Sequence, residues 1–132
     1  ATGTPLWASG SIGNPDYLSQ VNVTLGNATL YPGQFLKTPD GKYRMVLQWD
    51  GNLVVYAGTK AIWASGTTGR STSHMSMQSD GNLVVYAAGN YPVWISNTSS
   101  RGPSILAMQP DGNLVVYSSA GPTWASNTAG RQ

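Results

Sequence analysis

The chain has 132 residues, of which 40% are hydrophobic and only 9% are charged, and its formal net charge is +2 at pH 7. A chain of this length folds as one domain and buries roughly two-thirds of its unfolded surface. Its scattered basic residues give no electrostatic basis for nucleic-acid binding. No long apolar run predicts membrane insertion, and the start of the chain is not signal-like, so we expect a soluble, mature protein.

Few side chains are suited to catalysis. The chain contains one His, no Cys and five acidic residues, all of which are Asp. Glycoside hydrolysis needs two carboxyl groups near one sugar, whereas three of these Asp residues lie in separate sequence repeats. His74 has no apparent nucleophile or ligand partner and is interpreted as an ordinary surface histidine. We therefore predict a protein that is not an enzyme and has no catalytic residue, metal or cofactor.

The chain divides into an N-terminal extension, residues 1–19, and one domain of three repeats, residues 20–132. The extension contains Trp7-Ala8-Ser9, which matches three later Trp-Ala-Ser or Trp-Ile-Ser elements. It is interpreted as an extra strand, or alternatively as the end of an upstream domain in a longer parent protein.

Residues 20–47 are predicted to supply the opening strands, separated by turns rich in Pro and Gly. The side chains predicted to be buried in this segment are Leu25, Leu30, Phe35 and Leu36. Its basic residues, Lys37, Lys42 and Arg44, form a cluster beside the first repeat. A solvated face is the simpler interpretation of this cluster, and binding of an anionic glycan is the alternative.

A nine-residue string occurs three times, as QWDGNLVVY at 48–56, QSDGNLVVY at 78–86 and QPDGNLVVY at 109–117. A regular period of about 30 residues indicates a stacked or symmetric architecture. Alternation of polar and apolar residues predicts strands, and the central Asp-Gly marks a turn between them. Each copy is therefore interpreted as a hairpin.

The length of the hairpin loop decides which side chains share a face. A two-residue loop would pair Gln48 with Leu53, which places a polar side chain beside an apolar one. A three-residue loop, residues 49–51, pairs Gln48 with Asn52 and keeps the polar residues of the motif together. The third copy, with Pro-Asp-Gly in its loop, favours the three-residue form because Pro suits a type I turn.

The polar face of each hairpin carries hydrogen-bonding groups around a small apolar one. Gln and Asn supply amides, Asp accepts, and Tyr has a hydroxyl, with Val between them. This set suits a sugar, which has adjacent hydroxyls and an apolar C–H face. The alternative is that Asp and Asn only cap the turn while Gln and Tyr pair across the sheet. A turn needs no Gln or Tyr, so three complete copies favour the sugar.

The pattern Gln-x-Asp-x-Asn-x-Val-x-Tyr resembles the mannose-binding motif of the bulb-type (monocot, snowdrop-like) lectins, over about residues 21–132. The matching residues are Gln48, Asp50, Asn52, Val54, Tyr56, Gln78, Asp80, Asn82, Val84, Tyr86, Gln109, Asp111, Asn113, Val115 and Tyr117. The resemblance implies an all-β fold, the β-prism II, with three antiparallel four-stranded sheets around a pseudo-threefold axis. It also implies metal-independent mannose binding. Asp and Asn would hold the axial 2-hydroxyl, Gln the 3-hydroxyl and Tyr the 4-hydroxyl, while Val contacts the ring carbons.

The resemblance also implies where the Trp elements lie in the fold. In this family one Trp from each sheet packs around the central axis, which implies that Trp63, Trp94 and Trp124 belong to the core. Family members commonly exchange the C-terminal strand, here the one with Trp124, between two subunits. This chain has four such Trp elements, whereas the fold has three positions for them. We therefore expect a homodimer formed by strand exchange. Plant relatives often have a disulfide at the first hairpin, where this chain has Gly51 and no Cys.

Trp49 occupies the variable second position of the first motif, at a loop tip, and is expected to be exposed. It is predicted to stack on a second sugar residue or on a dimer partner. The sequence as a whole predicts a secreted, extracellular and multivalent lectin that binds mannose and high-mannose glycans. The alternative is a lectin-like bacteriocin or toxin module that uses mannose binding for targeting.

Overall fold

The computed structural model describes residues 24–26 and 29–131. Predictions for residues 1–19, including the strand at Trp7, and for the Leu25 side chain lie outside the described residues. Within those ranges there is no helix that could cross a membrane. The strands are β1 (Thr24–Gly26), β2 (Thr29–Leu30), β3 (Phe35–Lys37), β4 (Tyr43–Leu47), β5 (Leu53–Ala57), β6 (Lys60–Ala64), β7 (Thr72–Met77), β8 (Leu83–Ala87), β9 (Tyr91–Ile95), β10 (Ser104–Met108), β11 (Leu114–Ser118) and β12 (Gly121–Ala125).

The strands form three four-stranded sheets, in the orders β3-β4-β5-β6, β2-β7-β8-β9 and β1-β10-β11-β12. All neighbouring strands are antiparallel. Each sheet contains one copy of the motif between its second and third strands. The prediction of three antiparallel four-stranded sheets is therefore confirmed.

The opening segment contributes one strand to every sheet. β1 joins the third sheet, β2 the second and β3 the first. Since a strand at a sheet edge satisfies backbone groups that would otherwise be unpaired, these short strands complete the sheets. The sheets of the second and third repeats therefore depend on pairing between residues far apart in the chain.

The inner faces of the sheets form one apolar core. Leu47, Leu53 and Val55 of the first repeat are fully buried, as are their equivalents in the other two repeats. The predicted burial of Leu30 and Leu36 is confirmed, but that of Phe35 is wrong, since Phe35 is only partly buried. Successive side chains of a strand point to opposite faces. Phe35 and Leu36 therefore cannot both face the core.

Three Trp side chains meet at the centre, one from each sheet. The ring centroids of Trp63 and Trp94 are 5.5 Å apart, and each lies 5.3 Å from that of Trp124. The three pairs meet edge to face, the arrangement that the ring quadrupole favours. All three rings are partly buried against the core, which confirms the predicted cluster around the axis.

Hairpin loops dock on neighbouring loops without a disulfide. A Cβ atom built on Gly51 would lie 2.3 Å from the Arg70 carbonyl oxygen and 2.8 Å from that of Thr67. The backbone of Asp50 also accepts a hydrogen bond from the Gly69 N–H group, over 2.7 Å. Close backbone packing thus joins the first motif to the start of the second repeat.

Candidate functional site

Each copy of the motif forms a tight hairpin. In the first copy Leu47 pairs with Leu53, and the Gln48 N–H group donates to the Asn52 carbonyl over 2.9 Å. The loop therefore has three residues, as predicted. The third loop residue has a φ of 99° at Gly51, 97° at Gly81 and 96° at Gly112. Only glycine adopts this conformation without strain.

The motif Asp stabilises the turn with one of its carboxylate oxygens. Oδ1 of Asp50 accepts a hydrogen bond from the Asn52 N–H group over 3.0 Å. The same contact measures 2.9 Å in the second and third copies. The three carboxylates are exposed to solvent. One oxygen is thus used structurally, and an exposed carboxylate has further acceptor capacity for a ligand.

The motif Asn is oriented by the segment that follows the next Trp. Oδ1 of Asn52 accepts hydrogen bonds from Ser65 Oγ at 3.1 Å, Gly66 N at 3.0 Å and Thr67 N at 3.2 Å. Asn82 and Asn113 accept from the equivalent Ser and Thr. Because backbone donors can only meet the amide oxygen, the amide nitrogen must be presented as the free donor.

Sequence reasoning missed the Ser and Thr that hold this Asn. Thr98 is 3% exposed, and its Oγ1 lies 2.7 Å from Ser96 Oγ and donates to the Gly81 carbonyl over 2.6 Å. Equivalent bonds join Ser65 to Thr67 and Ser126 to Thr128. The signal was available, because Ser-x-Thr follows each of the three central Trp residues at the same spacing.

The motif Gln and Tyr lie side by side on the same face. In all three copies the Gln amide is hydrogen-bonded to the Tyr hydroxyl. For Gln48, the amide orientation that satisfies both atoms places nitrogen 3.1 and 3.2 Å from the Asp50 carboxylate oxygens and lets the amide oxygen accept from Tyr56. Gln48 therefore links Asp50 to Tyr56 in one continuous polar surface.

The motif Val forms the floor beneath these polar groups. Val54, Val84 and Val115 are each 3% exposed, so they offer a small apolar surface. Immediately after the following Val, the pairing with the fourth strand shifts at Tyr56, Tyr86 and Tyr117. A bulge of this kind bends the strand and re-aims side chains. The Tyr ring consequently lies at one end of the patch that the five motif residues of one copy form, and we refer to each such patch as a pocket.

The motif residues make the structural contacts that the alternative interpretation required. Asp caps the turn and Gln pairs with Tyr, as the structural alternative required. The same residues nevertheless keep unused acceptors on Asp, a free amide nitrogen on Asn and a hydroxyl on Tyr at one open surface. Such a surface offers hydrogen-bonding partners to a ligand with several adjacent hydroxyls. Within the described ranges, no group of three or more His, Asp or Glu side chains could hold a metal ion.

The sequence suggested an ordinary surface histidine at position 74, and the structure shows a partly buried His74 ring in contact with Tyr86. Its ring stacks on that of Tyr86, with centroids 4.8 Å apart and planes at 26°, and Nδ1 lies 2.9 Å from Ser73 Oγ. Burial disfavours the charged imidazolium and lowers the pKa of His74 below its usual value. This histidine is therefore a wall of the second pocket, since it pairs with Tyr86 across the strands.

Trp49 is 80% exposed, which confirms its predicted place at the loop tip. A Cβ atom built on Gly33 would lie 2.9 Å from Trp49 Nε1, so the indole lies against that glycine. One edge of the ring system thus rests on the turn before β3, while most of its surface stays in solvent.

The chain resembles proteins of known structure along most of its length. A monocot mannose-binding lectin from Gastrodia elata, described as monomeric, is 39% identical; the match covers 80% of this chain and 97% of that one, with a TM-score of 0.73. The snowdrop (Galanthus nivalis) agglutinin, solved with methyl-α-D-mannoside, is 42% identical over 80% of this chain and 95% of its own, with a TM-score of 0.68. The chain belongs to the bulb-type lectin family. The predicted β-prism II fold is thereby confirmed.

Curated relatives match over a shorter stretch. The mannose-specific lectin of Narcissus pseudonarcissus is 48% identical over 63 residues, which are 47% of this chain and 56% of that protein. The chain thus spans about half the length of the curated relatives it matches. No protein-family model matches the chain.

Proposed function

We propose that this protein is a non-enzymatic, metal-independent lectin that binds mannose and mannose-containing glycans at up to three sites. One observation carries the proposal. In each of three hairpins, structural hydrogen bonds hold Oδ1 of the motif Asp and Oδ1 of the motif Asn, while the exposed carboxylate keeps acceptor capacity and the Asn amide nitrogen is a free donor. Together with the Tyr hydroxyl and the apolar Val beside it, this set complements a sugar with adjacent hydroxyls.

Mannose is the sugar that the relatives favour. The Narcissus relative is named mannose-specific, and the snowdrop agglutinin was solved with a mannoside. The motif pattern resembles the mannose-binding motif of the bulb-type lectins, so Asp and Asn are proposed to bind the axial 2-hydroxyl. A single site is expected to be weak, because a monosaccharide exchanges hydrogen bonds with water for hydrogen bonds with protein. Three sites on one chain would strengthen binding to branched glycans through multivalency.

The decisive test replaces the motif carboxylates without disturbing the turns. Asp→Asn keeps the oxygen that caps the loop but converts the second oxygen into a donor. The triple variant Asp50→Asn, Asp80→Asn and Asp111→Asn is expected to lose mannan binding in calorimetry, whereas Asp80→Asn alone removes one of three sites. The control is Asp40→Asn, because Asp40 makes the same kind of turn bond, to Lys42 N over 2.9 Å, outside the motif. Retained mannan binding by the triple variant would refute the proposal.

We also propose that the protein is secreted and acts as a dimer. β12 completes its own sheet within one chain, and Trp124 completes the central cluster. Exchange of β12 would preserve these contacts at a partner, which is a low-cost route to a dimer. The Gastrodia elata relative is described as monomeric, so the fold by itself does not require a dimer. Light scattering at micromolar concentration is expected to give twice the chain mass; a single chain mass would contradict the exchange.

A further inference from the structure

The three pockets share their motif residues but differ at the end formed by Tyr. Across the strands, Tyr56 pairs with Arg44, Tyr86 with His74 and Tyr117 with Ile105. The three neighbours are a permanent cation, a titratable ring and an aliphatic side chain. Three pockets with one motif therefore have three different end walls.

The first pocket ends in two cationic side chains. The Arg44 guanidinium carbon lies 4.7 Å from the centroid of the Tyr56 ring, which holds the guanidinium over the aromatic face. Lys37 pairs with Arg44 on the next strand, so the two side chains share the outer face. Both are partly buried, and the Lys37 ammonium lies 6.0 Å from the Phe35 ring centroid. Arg44 thus borders the first pocket at Tyr56, and Lys37 adds a second positive charge on the adjoining strand.

The third member of the sequence cluster points elsewhere. The Lys42 ammonium lies 5.4 Å from the Tyr43 ring centroid, and Lys42 adjoins the Asp40 turn. At the corresponding wall of the third pocket, Ile105 is 41% exposed and carries no charge. The combination of Arg44 and Lys37 is therefore specific to the first pocket among the three.

We propose that the first pocket binds mannosyl glycans that carry an anionic ester, phosphate or sulfate, on the sugar beside Tyr56. This inference rests on the proposed function, because it assigns a ligand class to one of its three sites. A guanidinium presents a planar fork of donors that matches tetrahedral oxyanions, and hydrogen bonds between charged groups are the stronger ones. Stacking on Tyr56 holds Arg44 before the ligand arrives, so less side-chain freedom is lost on binding.

The test isolates single pockets with the Asp→Asn substitution. The double variant Asp80→Asn with Asp111→Asn leaves the first pocket, and Asp50→Asn with Asp80→Asn leaves the third. Calorimetry compares mannose, mannose 6-phosphate and mannose 6-sulfate, with galactose 6-phosphate and inorganic phosphate as controls. At the first pocket we expect the anionic mannose esters to bind about fivefold tighter than mannose at low salt, and the gain to shrink at high salt. The phosphate and sulfate arms distinguish the two ester types.

Reciprocal substitutions distinguish a specific anion-binding site from non-specific electrostatic attraction. Arg44→Ile in the first-pocket variant gives it the wall of the third pocket, and should abolish the preference for anionic esters while mannose binding persists. Ile105→Arg in the third-pocket variant should create the preference. An unchanged preference after Arg44→Ile, or equal affinity for mannose and its esters at the first pocket, would overturn the inference alone. Loss of mannose binding in every isolated pocket would instead refute the proposed function.

Discussion

The hydroxyl of Ser65 donates a hydrogen bond over 3.1 Å to the side-chain oxygen of Asn52, thirteen residues earlier in the chain. The contact ties the strand that carries a central Trp to the loop that carries the pocket. It recurs between Ser96 and Asn82 and between Ser126 and Asn113. The packing of the core and the orientation of the amide at the surface are therefore coupled in each repeat.

Removal of one such hydroxyl should weaken both stability and binding. Ser96 is 7% exposed and also accepts from the Leu83 N–H group over 2.9 Å. We expect Ser96→Ala to cost about 1–3 kcal/mol of unfolding free energy, because a buried donor loses its partner. The variant should also weaken mannose binding at an isolated second pocket. Urea denaturation and calorimetry measure the two effects. Ser99→Ala, in an exposed turn of the same loop, is the control and should leave both unchanged.

Close packing at the hairpin tip should make Gly51 irreplaceable. In Gly51→Ala the new methyl group would meet the Arg70 carbonyl oxygen at 2.3 Å, and φ is 99°. We expect a loss of more than about 2 kcal/mol of unfolding free energy, measured by urea denaturation. Gly58→Ala is the matched control, since Gly58 has a φ of 62° but nothing within 4 Å of a new methyl group. It should cost about 1 kcal/mol from backbone strain alone. Equal losses in the two variants would show that the contact is unimportant.

Trp49 should contribute more to the binding of oligosaccharides than to the binding of single sugars. Its indole is largely exposed beside the first pocket, where it can stack on a second sugar residue. We expect Trp49→Ser to weaken binding of a mannose oligosaccharide severalfold while the affinity for methyl α-mannoside barely changes. Calorimetry on the isolated first pocket measures both. Tyr91→Ser removes another aromatic side chain, 62% exposed but outside the motif, and should change neither. Equal losses for both ligands in Trp49→Ser would refute stacking.

Acidification should destabilise the protein through His74. Burial lowers the pKa of His74 from its usual value of 6.5, so the unfolded chain binds a proton more readily than the folded one. Stability is therefore complete above about pH 6.5 and falls as the pH drops towards the lowered pKa. His74→Gln, which does not titrate, should flatten urea-derived stability between about pH 7.5 and 5. The Asp40 carboxyl does not interfere, since the Lys42 backbone N–H group lowers its pKa from an already acidic 3.8. An unchanged pH profile in the variant would contradict this role.

Much of the pocket could be predicted because its residues are close in sequence. Alternation and the Asp-Gly turn place Gln48, Asn52 and Tyr56 on one face, and the three-residue loop that matches polar with polar is the one observed. The predictions were wrong or incomplete where the environment of a residue depends on parts of the chain that are distant in sequence. Phe35 was expected in the core, yet its place in a three-residue strand puts it on the outer face. His74 gave no local signal, and only its strand pairing sets it against Tyr86.

The sequence by itself determined the threefold repeat, the hairpin loops and the polar groups of each pocket, because strand periodicity and turn chemistry act over a few residues. Only the tertiary structure decided which sheet each opening strand joins, since β1, β2 and β3 carry similar short patterns and differ in the partner that each completes. It also decided which side-chain atom of each motif Asn remains free. That atom is selected by hydrogen bonds from groups 13 or more residues away, such as the bond from Ser65 Oγ to Asn52, and local sequence rules do not predict such contacts.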